Sequence, residues 1–426
     1  MTPAPATTQD VRKRFLVLRG LRWLPTGLIV PVLVLVLLDR GLSLAQLGVV
    51  FAGQGLMVLV LELPTGGLAD AIGRRTVLLV ATVFEVAAFV LLIGTRSVPL
   101  LVLAAGFMGV YRALESGPLD SWYVDTAQAI DADADIERGL SQAGVVTGLA
   151  IGLGALAASA LVALQPLPGV DPLITPVVVA LALLVLEWAA IAVLMTEPQP
   201  QRNLAALKRS VAEVPTIVIT AVRTVKRSTA LIALVSVEFL WGLGIHTVES
   251  YTPVRLGDVV DGADRAASLL GPANTVAWLV AAAGAALVPV LTRRLSPAGA
   301  GAGLRIAQGL TVLGIAFAIG PVGVVVAYVL AIGVNGAANP IHQGMLHRGV
   351  VNGNSRATVV SVNSLTGQTG AMIGGIALGL LADTTSLSVA MVAGAAILSA
   401  AAPLYLIAGR GLERQAVETS ARGLTT

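Results

Sequence analysis

Twelve apolar runs, each close to the length of a membrane-crossing helix, dominate the sequence. A helix needs about 20 predominantly apolar residues to cross the hydrocarbon core of a bilayer. Hydrophobic residues make up 56% of the 426 residues and charged residues 12%, whereas soluble domains carry about 25% charged residues. We therefore predict an all-α membrane protein with twelve transmembrane helices. The runs are Phe15–Leu38, Ala45–Leu63, Thr76–Gly94, Pro99–Tyr123, Leu140–Leu164, Pro172–Met195, Thr229–Thr252, Ala266–Val290, Leu304–Gly320, Val322–Leu346, Val359–Ala382 and Leu387–Ile407.

A long basic break, Thr196–Ser228, separates the sixth and seventh runs and divides the chain into two halves. Within it, Asn203–Val214 places apolar residues at helical spacing opposite basic ones, which predicts a helix lying on the membrane surface. The predicted organisation is an N-terminal six-helix half at 1–196, a linker at 197–227, a C-terminal six-helix half at 228–409 and a tail at 410–426.

The two halves also resemble each other. Residues 115–154 can be laid over residues 337–376 at a constant offset of 222 without a gap, which aligns Gly148 with Gly370 and Gly152 with Gly374. Such a duplication is typical of transporters whose central site lies between two repeats. We therefore predict that the two six-helix halves are pseudo-symmetric.

Lysine and arginine are concentrated in one set of connections. The opposite set holds only Arg40, Arg96, Arg255 and Arg265. Because cytoplasmic loops carry the Lys/Arg excess, the rich set, which includes Arg305, is assigned to the cytoplasm together with both termini. We predict a multi-pass protein of the cell inner or plasma membrane, which is expected to be a monomer.

Several classes of chemistry are disfavoured. The chain has no cysteine and a net charge of +3, so thiolate chemistry is excluded and nucleic-acid binding is not expected. The three histidines do not have metal-ligand spacing, and no phosphate-binding loop of the ATPase type occurs. We therefore expect no cofactor, no metal and no enzymatic activity.

A short charged break separates the second and third runs. The segment Gly67–Arg75 reads GLADAIGRR, and five of its positions, Gly67, Asp70, Gly73, Arg74 and Arg75, resemble the signature between the second and third helices of the major facilitator superfamily of secondary transporters. That resemblance implies a cytoplasmic gate formed by these residues, with Asp125 as the acidic partner of Arg74. The alternative is an ordinary turn with cytoplasmic positive charges.

Ionisable residues inside the apolar runs are candidates for function, because a charge in the bilayer costs several kcal/mol unless it is paired or hydrated. Arg112 and Glu115 are three residues apart and share a helix face, which predicts a buried pair that exchanges a proton or, alternatively, a structural ion pair. Arg112 also resembles the fourth-span arginine that the superfamily links to proton transfer. Glu238 is a further candidate, Glu187 is expected to reach the interface, and Glu85 has no predicted role.

A second group of polar residues suits the lining of a substrate cavity. On the seventh run, Glu238, Trp241 and Glu249 have helical spacing, and His246 lies between them. On the tenth run, Pro340 is expected to break the helix, where freed backbone groups beside a cavity are tolerated. The substrate-cavity candidates are Asn335, Asn339, His342, His246, Glu249 and Trp241.

The chain resembles the major facilitator superfamily over nearly its whole length, and its first four spans resemble bacterial multidrug and macrolide exporters. The resemblance implies a secondary transporter, and the membrane-embedded acids favour proton-coupled efflux of a small amphipathic or drug-like molecule by alternating access. The alternatives are a proton-coupled importer or facilitator of a nutrient or metabolite, and a receptor that does not transport.

Overall fold

A computed structural model describes residues 7–197, 212, 219–220, 222–350 and 356–423 of the chain. These residues fold into α-helices joined by short connections. In chain order the helices are α1 (Thr8–Ile29), α2 (Leu33–Asp39), α3 (Leu44–Ile72), α4 (Arg74–Gly94), α5 (Val98–Glu115), α6 (Pro118–Ile130), α7 (Ile136–Leu164), α8 (Thr175–Leu194), α9 (Thr229–Glu249), α10 (Tyr251–Val260), α11 (Ala263–Arg294), α12 (Pro297–Phe317), α13 (Gly320–Gly349), α14 (Arg356–Thr384), α15 (Leu387–Ala400) and α16 (Ala402–Gly423).

The helices reproduce the predicted number of spans. In the described ranges, 11 helices are long and apolar enough to cross a membrane, and α1 and α2, which meet at a bend of 42°, bring the number to 12 when they count as one span. The fourth span consists of α5 and α6, which are separated at Gly117, where φ is +99°. The prediction of an all-α membrane protein with twelve spans is confirmed.

Local sequence explains where many helices begin. The side chains of Thr7, Asp135, Ser228, Ser296 and Ser386 each accept a hydrogen bond from a backbone N–H in the first turn of the following helix. Such caps satisfy donors that have no partner within the helix. Proline occupies the first turn of α5, α6, α8, α12 and α13, where its missing N–H costs nothing.

The chain divides into two compact units. The first consists of residues 1–42, 53–214 and 262–275, and the second of residues 43–52, 215–261 and 276–426. Each unit takes in the first turns of one helix, α3 or α11, whose remaining residues belong to the other unit. These two short segments start 219 residues apart, close to the offset of 222 found in the sequence.

In the first unit, the core is built on close packing of α1 against α7. A Cβ atom on Gly27 would collide with the backbone of Ile151, and one on Gly154 would collide with the backbone of Leu24 and Gly27. The two helices approach at glycines, as is common for membrane helices. Beside this contact, Phe15 stacks on Tyr123 with ring centroids 4.4 Å apart, in a cluster that also buries Trp122.

In the second unit, α9 packs against α14 in the same manner. A Cβ atom on Gly370 would collide with the carbonyl oxygen of Phe239, and one on Gly374 would collide with the backbone of Leu243. At the far end of α14, the carboxylate of Asp383 accepts hydrogen bonds from the backbone N–H groups of Leu44 and Ala45, at 3.0 and 2.9 Å. Asp383 therefore caps the first turn of α3 within this unit.

Three sequence predictions about local structure need correction or fall outside the description. The break predicted between the second and third spans is reduced to Gly73, because α3 stays helical to Ile72. Pro340 lies inside a continuous α13 rather than breaking it. The predicted surface helix at Asn203–Val214 lies almost entirely outside the described residues.

Candidate functional site

The junction between α3 and α4 contains the ion pair expected from the sequence. Gly73 has φ +92°, a conformation that strongly favours glycine, and it starts α4 directly after α3. Arg74 then pairs with Asp125 of α6 at 2.6 Å. The side chain of Asp70 lies outside the described part of the chain, as does any contact of Gly67.

Glu197 completes this junction and was not anticipated. Its two carboxylate oxygens accept hydrogen bonds from the backbone N–H groups of Arg74 and Arg75, each at 3.1 Å. Gly73 has no side chain with which to cap α4, so a carboxylate from beyond α8 supplies the cap and complements the positive end of the helix dipole. The guanidinium of Arg75 in turn donates to the carbonyl of Ala192 at 2.6 Å.

A buried arginine forms the centre of an acidic cluster in the first unit. The Arg22 guanidinium, on α1, pairs with the Glu115 carboxylate, at the end of α5, at 3.2 Å, and the two side chains are only 7% and 11% exposed. The same guanidinium lies over the ring of Tyr111, 4.0 Å from its centroid, and 5.1 Å from the ring centroid of Trp23. Aromatic faces stabilise a cation that has little water around it.

Tyr111 connects this arginine to a second acid. Its hydroxyl lies 3.3 Å from each oxygen of the Glu187 carboxylate on α8, and Glu187 is 3% exposed. The expectation that Glu187 reaches the membrane interface is therefore wrong. Its apolar neighbours on α8 and the packing of α8 against α1 and α4 bury it beside the arginine instead.

Glu85, on α4, is the third acid of the cluster. Its charge acts on Arg22, Glu187 and Glu115, and its Oε2 atom is buried without a hydrogen-bond partner among the described residues. We call Arg22, Glu85, Glu115 and Glu187, with the hydroxyl of Tyr111, the acidic cluster. It brings three carboxyl groups around a single guanidinium.

The predicted pairing of Arg112 with Glu115 needs correction. Helix α5 ends at Glu115, whose side chain turns to Arg22, while the side chain of Arg112 is exposed. A second pair, Arg19 with Asp120, joins α1 to α6 nearby. Sequence spacing identified Glu115 as a buried acid but assigned it the arginine of its own helix instead of one from α1.

A second polar network lies in the second unit, around His342. The Nε2 atom of His342 is 3.3 Å from the Glu238 carboxylate and 3.2 Å from Oδ1 of Asn363, and Nδ1 is 3.1 Å from the hydroxyl of Tyr405. A carboxylate and an amide oxygen can only accept, so Nε2 carries the proton and Nδ1 accepts from Tyr405. The ring therefore relays hydrogen bonds from α16 to α9.

Arg305 supplies the cation of this network. It is 2% exposed on α12, its guanidinium donates to Oε1 of Gln308 at 2.6 Å, and its charge acts on Glu238 and Tyr405. The assignment of Arg305 to a cytoplasmic connection is therefore wrong, because the helix begins at Pro297 and extends past it. Unlike the acidic cluster, this network matches one buried acid to one buried cation.

The other substrate-cavity candidates are placed separately. The indole N–H of Trp241 donates to Oδ1 of Asn335 at 3.1 Å, so α9 and α13 present these two together. His246 is hydrogen-bonded to Ser250 at 2.9 Å, farther along α9. Asn339 and Glu249 are exposed.

Sequence reasoning passed over several members of both sites. Arg22, Glu85 and Glu187 were visible as charges within apolar runs, which is the signal that identified Glu115, but no spacing rule connects residues on four different helices. Arg305 was also a charge within an apolar run, at its second residue. Asn363 and Tyr405 carried no such signal. Among the described residues, no group of three or more His, Asp or Glu side chains is arranged to hold a metal ion.

Many apolar spans, two compact units and buried ion pairs between helices define a polytopic membrane protein. The sequence model of the family described as "Major Facilitator Superfamily" matches residues 15–374, and the chain belongs to that family of transporters. It is therefore a multi-pass membrane protein.

Solved structures of the same fold cover nearly the whole chain. The nucleoside transporter NupG is 13% identical with a TM-score of 0.76, over 93% of this chain and 98% of its own. A bacterial homolog of the human lysosomal transporter Spinster is 15% identical with a TM-score of 0.71, over 97% and 99%. A POT family transporter is 13% identical with a TM-score of 0.68, over 94% and 96%. None of the curated proteins matches the chain.

Proposed function

We propose that this protein is a proton-coupled secondary transporter that exports a small amphipathic or drug-like molecule by alternating access. The observation that carries the proposal is the acidic cluster, in which Glu115 pairs with Arg22 and the charges of Glu85 and Glu187 act on the same guanidinium. Such a group carries an excess of carboxyl groups over cations, and protons can neutralise that excess while it is buried.

Coupling follows from the cost of buried charge. A carboxylate is disfavoured in a dry, apolar site and favoured in a hydrated one. When alternating access changes the hydration of the cluster, its proton affinity changes with it, and the proton gradient biases the conformational equilibrium. The network around Glu238 lacks this excess because Arg305 balances it, so we place the coupling in the first unit.

The gate of the proposed cycle is the junction at Gly73. The Arg74–Asp125 pair and the Glu197 cap tie α4 to α6 and to the end of α8. The Lys/Arg excess favours a cytoplasmic position for this junction and for both termini. We further propose that the protein acts as a monomer in the cell inner or plasma membrane.

The direction of transport rests on the resemblance of the first four spans to multidrug and macrolide exporters and on the apolar surroundings of the acids. The substrate cavity would draw on Trp241 and Asn335, which the structure brings together. Uptake of a nutrient or metabolite with protons is the competing function, and it predicts the opposite sign of coupling.

The first experiment is to find a cargo. A ligand that binds the folded protein raises its apparent stability, so a panel of amphipathic compounds is screened for an increase in the thermal unfolding midpoint of the purified protein. A compound that produces a saturable increase is then used as the cargo in transport assays.

The second experiment imposes a pH gradient on proteoliposomes. Export by proton antiport predicts that cargo accumulates in liposomes whose lumen is more acidic than the medium, and that a protonophore abolishes this accumulation. Accumulation in an alkaline lumen instead would establish uptake with protons, and accumulation that ignores the gradient would contradict proton coupling. The exposed Glu137 of α7, replaced in E137Q, is the matched control for glutamate substitutions in the cluster.

A further inference from the structure

The acidic cluster does not balance its own charge. If all three carboxyl groups were ionised, the cluster would carry three negative charges against the one positive charge of Arg22. Glu187 and Arg22 are almost completely buried, at 3% and 6% exposed, and an uncompensated charge in such a place is strongly disfavoured. The excess is therefore two negative charges, which two protons would remove.

Among the described residues, neighbouring helices do not supply the missing positive charge. The helices packed against α4 and α8 include α1, α5, α6 and α7, and α3, which has no lysine or arginine, packs against α4 through Ala69. The cation that acts on both Glu85 and Glu187 is Arg22. Arg19 on α1 is taken by Asp120 of α6, Arg74 is taken by Asp125, and Arg112 of α5 is exposed.

The geometry distinguishes the three acids. Glu115 makes the direct ion pair with Arg22, so it is the acid placed as the counter-ion of that guanidinium. Glu187 meets the hydroxyl of Tyr111, a neutral partner, and Glu85 has a buried oxygen without a hydrogen-bond partner in the described part of the chain. The Tyr111 hydroxyl donates to Glu187 and so partly stabilises a carboxylate there, but one neutral donor does not balance a buried charge. Among the described residues neither Glu187 nor Glu85 makes an ion pair, so protonation is the way in which these two acids lose their buried charge.

We propose that the acidic cluster stores two protons at neutral pH, one on Glu85 and one on Glu187, with Glu115 as the counter-ion of Arg22. This inference rests on the proposed function for its meaning in transport, where it sets an upper limit of two protons exchanged by this cluster in each cycle. The count itself follows from charge balance: the number of protons equals the number of carboxyl groups minus the number of buried cations.

Infrared spectroscopy tests the count without a cargo. The C=O stretch of protonated carboxyl groups is measured for the protein in lipid nanodiscs at neutral pH, and its area is compared between variants. The E85Q/E187Q variant is expected to lose the signal of two protonated carboxyls, and each single variant that of one. An unchanged signal in the double variant would overturn the proposal.

Two further variants separate charge balance from other causes of protonation. R22Q removes the only cation and is expected to gain one protonated carboxyl. E115Q is expected to lose one, because Arg22 then takes a different counter-ion, whereas acids protonated independently of Arg22 would leave the E115Q signal unchanged. E238Q is the matched control, since Arg305 balances Glu238, and it should leave the count as in the wild type.

The outcome is independent of the transport assays. A loss of two protonated carboxyls in E85Q/E187Q together with transport that ignores the pH gradient would support the store and contradict proton coupling. An unchanged number of protonated carboxyls in E85Q/E187Q together with gradient-driven transport would contradict the two stored protons and support proton coupling. The single variants and E115Q provide the test if R22Q does not fold.

Discussion

At the scale of single residues, the structure shows the acidic cluster where the sequence predicted a single ion pair between Arg112 and Glu115. Sequence spacing identified Glu115 as a buried acid, but its partner is Arg22 of α1, which lies 93 residues earlier in the chain. Glu85 and Glu187 could be recognised as charges in apolar runs. Their proximity could not, because contacts between helices far apart in sequence depend on packing that no local pattern encodes.

Tyr111 offers a test of the contacts within the cluster. Its hydroxyl is the hydrogen-bond partner of Glu187, so Y111F should lower the free energy of unfolding by about 1–2 kcal/mol. The measurement is thermal unfolding of the purified protein. The control is Y251F, since the Tyr251 hydroxyl is buried without a hydrogen-bond partner among the described residues and its removal should not destabilise. Equal effects of the two substitutions would contradict the Tyr111–Glu187 contact.

At the scale of helices, hydrophobic runs predicted the position of nearly every helix. The main errors were in where the helices begin and end. Helix α3 extends to Ile72 and α13 passes through Pro340. A helix can begin wherever a distant group accepts hydrogen bonds from its first backbone N–H groups. At the Gly73 junction that group is Glu197, which caps α4 from more than 120 residues away in the chain. Such a partner carries no local signal.

The aligned glycines Gly148 and Gly370 should respond in opposite ways to alanine. A Cβ atom on Gly370 meets the backbone of Phe239, whereas one on Gly148 meets nothing within 4 Å. We expect G370A to lower the free energy of unfolding by about 1–3 kcal/mol through overpacking and G148A to raise it by about 0.5–1 kcal/mol. The measurement is thermal unfolding of both variants. A G370A variant as stable as the wild type would show that α9 and α14 do not pack as described.

The cap supplied by Glu197 should also be measurable. E197A removes both hydrogen bonds to the first turn of α4, and the loss of a helix cap costs about 1 kcal/mol. Hydrogen exchange of the Arg74 and Arg75 amides should therefore accelerate in E197A and not in E137A, which removes an exposed carboxylate from the first turn of α7. Unchanged hydrogen exchange of these two amides in E197A would show that Glu197 does not cap α4.

At the scale of the whole molecule, the sequence determined the class of fold because the bilayer constrains it. Backbone polar groups must be satisfied inside each span, so runs of about 20 apolar residues predict helices and their number predicts the architecture. The internal repeat is visible again in the helix starts, since α5 begins at Val98 and α13 at Gly320, 222 residues later. The bilayer imposes no comparable rule on which buried charges meet.

If the acidic cluster exchanges protons for cargo, movement of cargo across the membrane must drive protons in the opposite direction. Proteoliposomes are loaded with cargo and a pH-sensitive dye, held at zero membrane potential, and diluted into cargo-free medium at the same pH. We expect the lumen to acidify as cargo leaves, and we expect E85Q/E187Q to abolish this acidification while E137Q does not. Cargo efflux with no pH change in the wild type, or acidification that persists in E85Q/E187Q, would contradict this exchange.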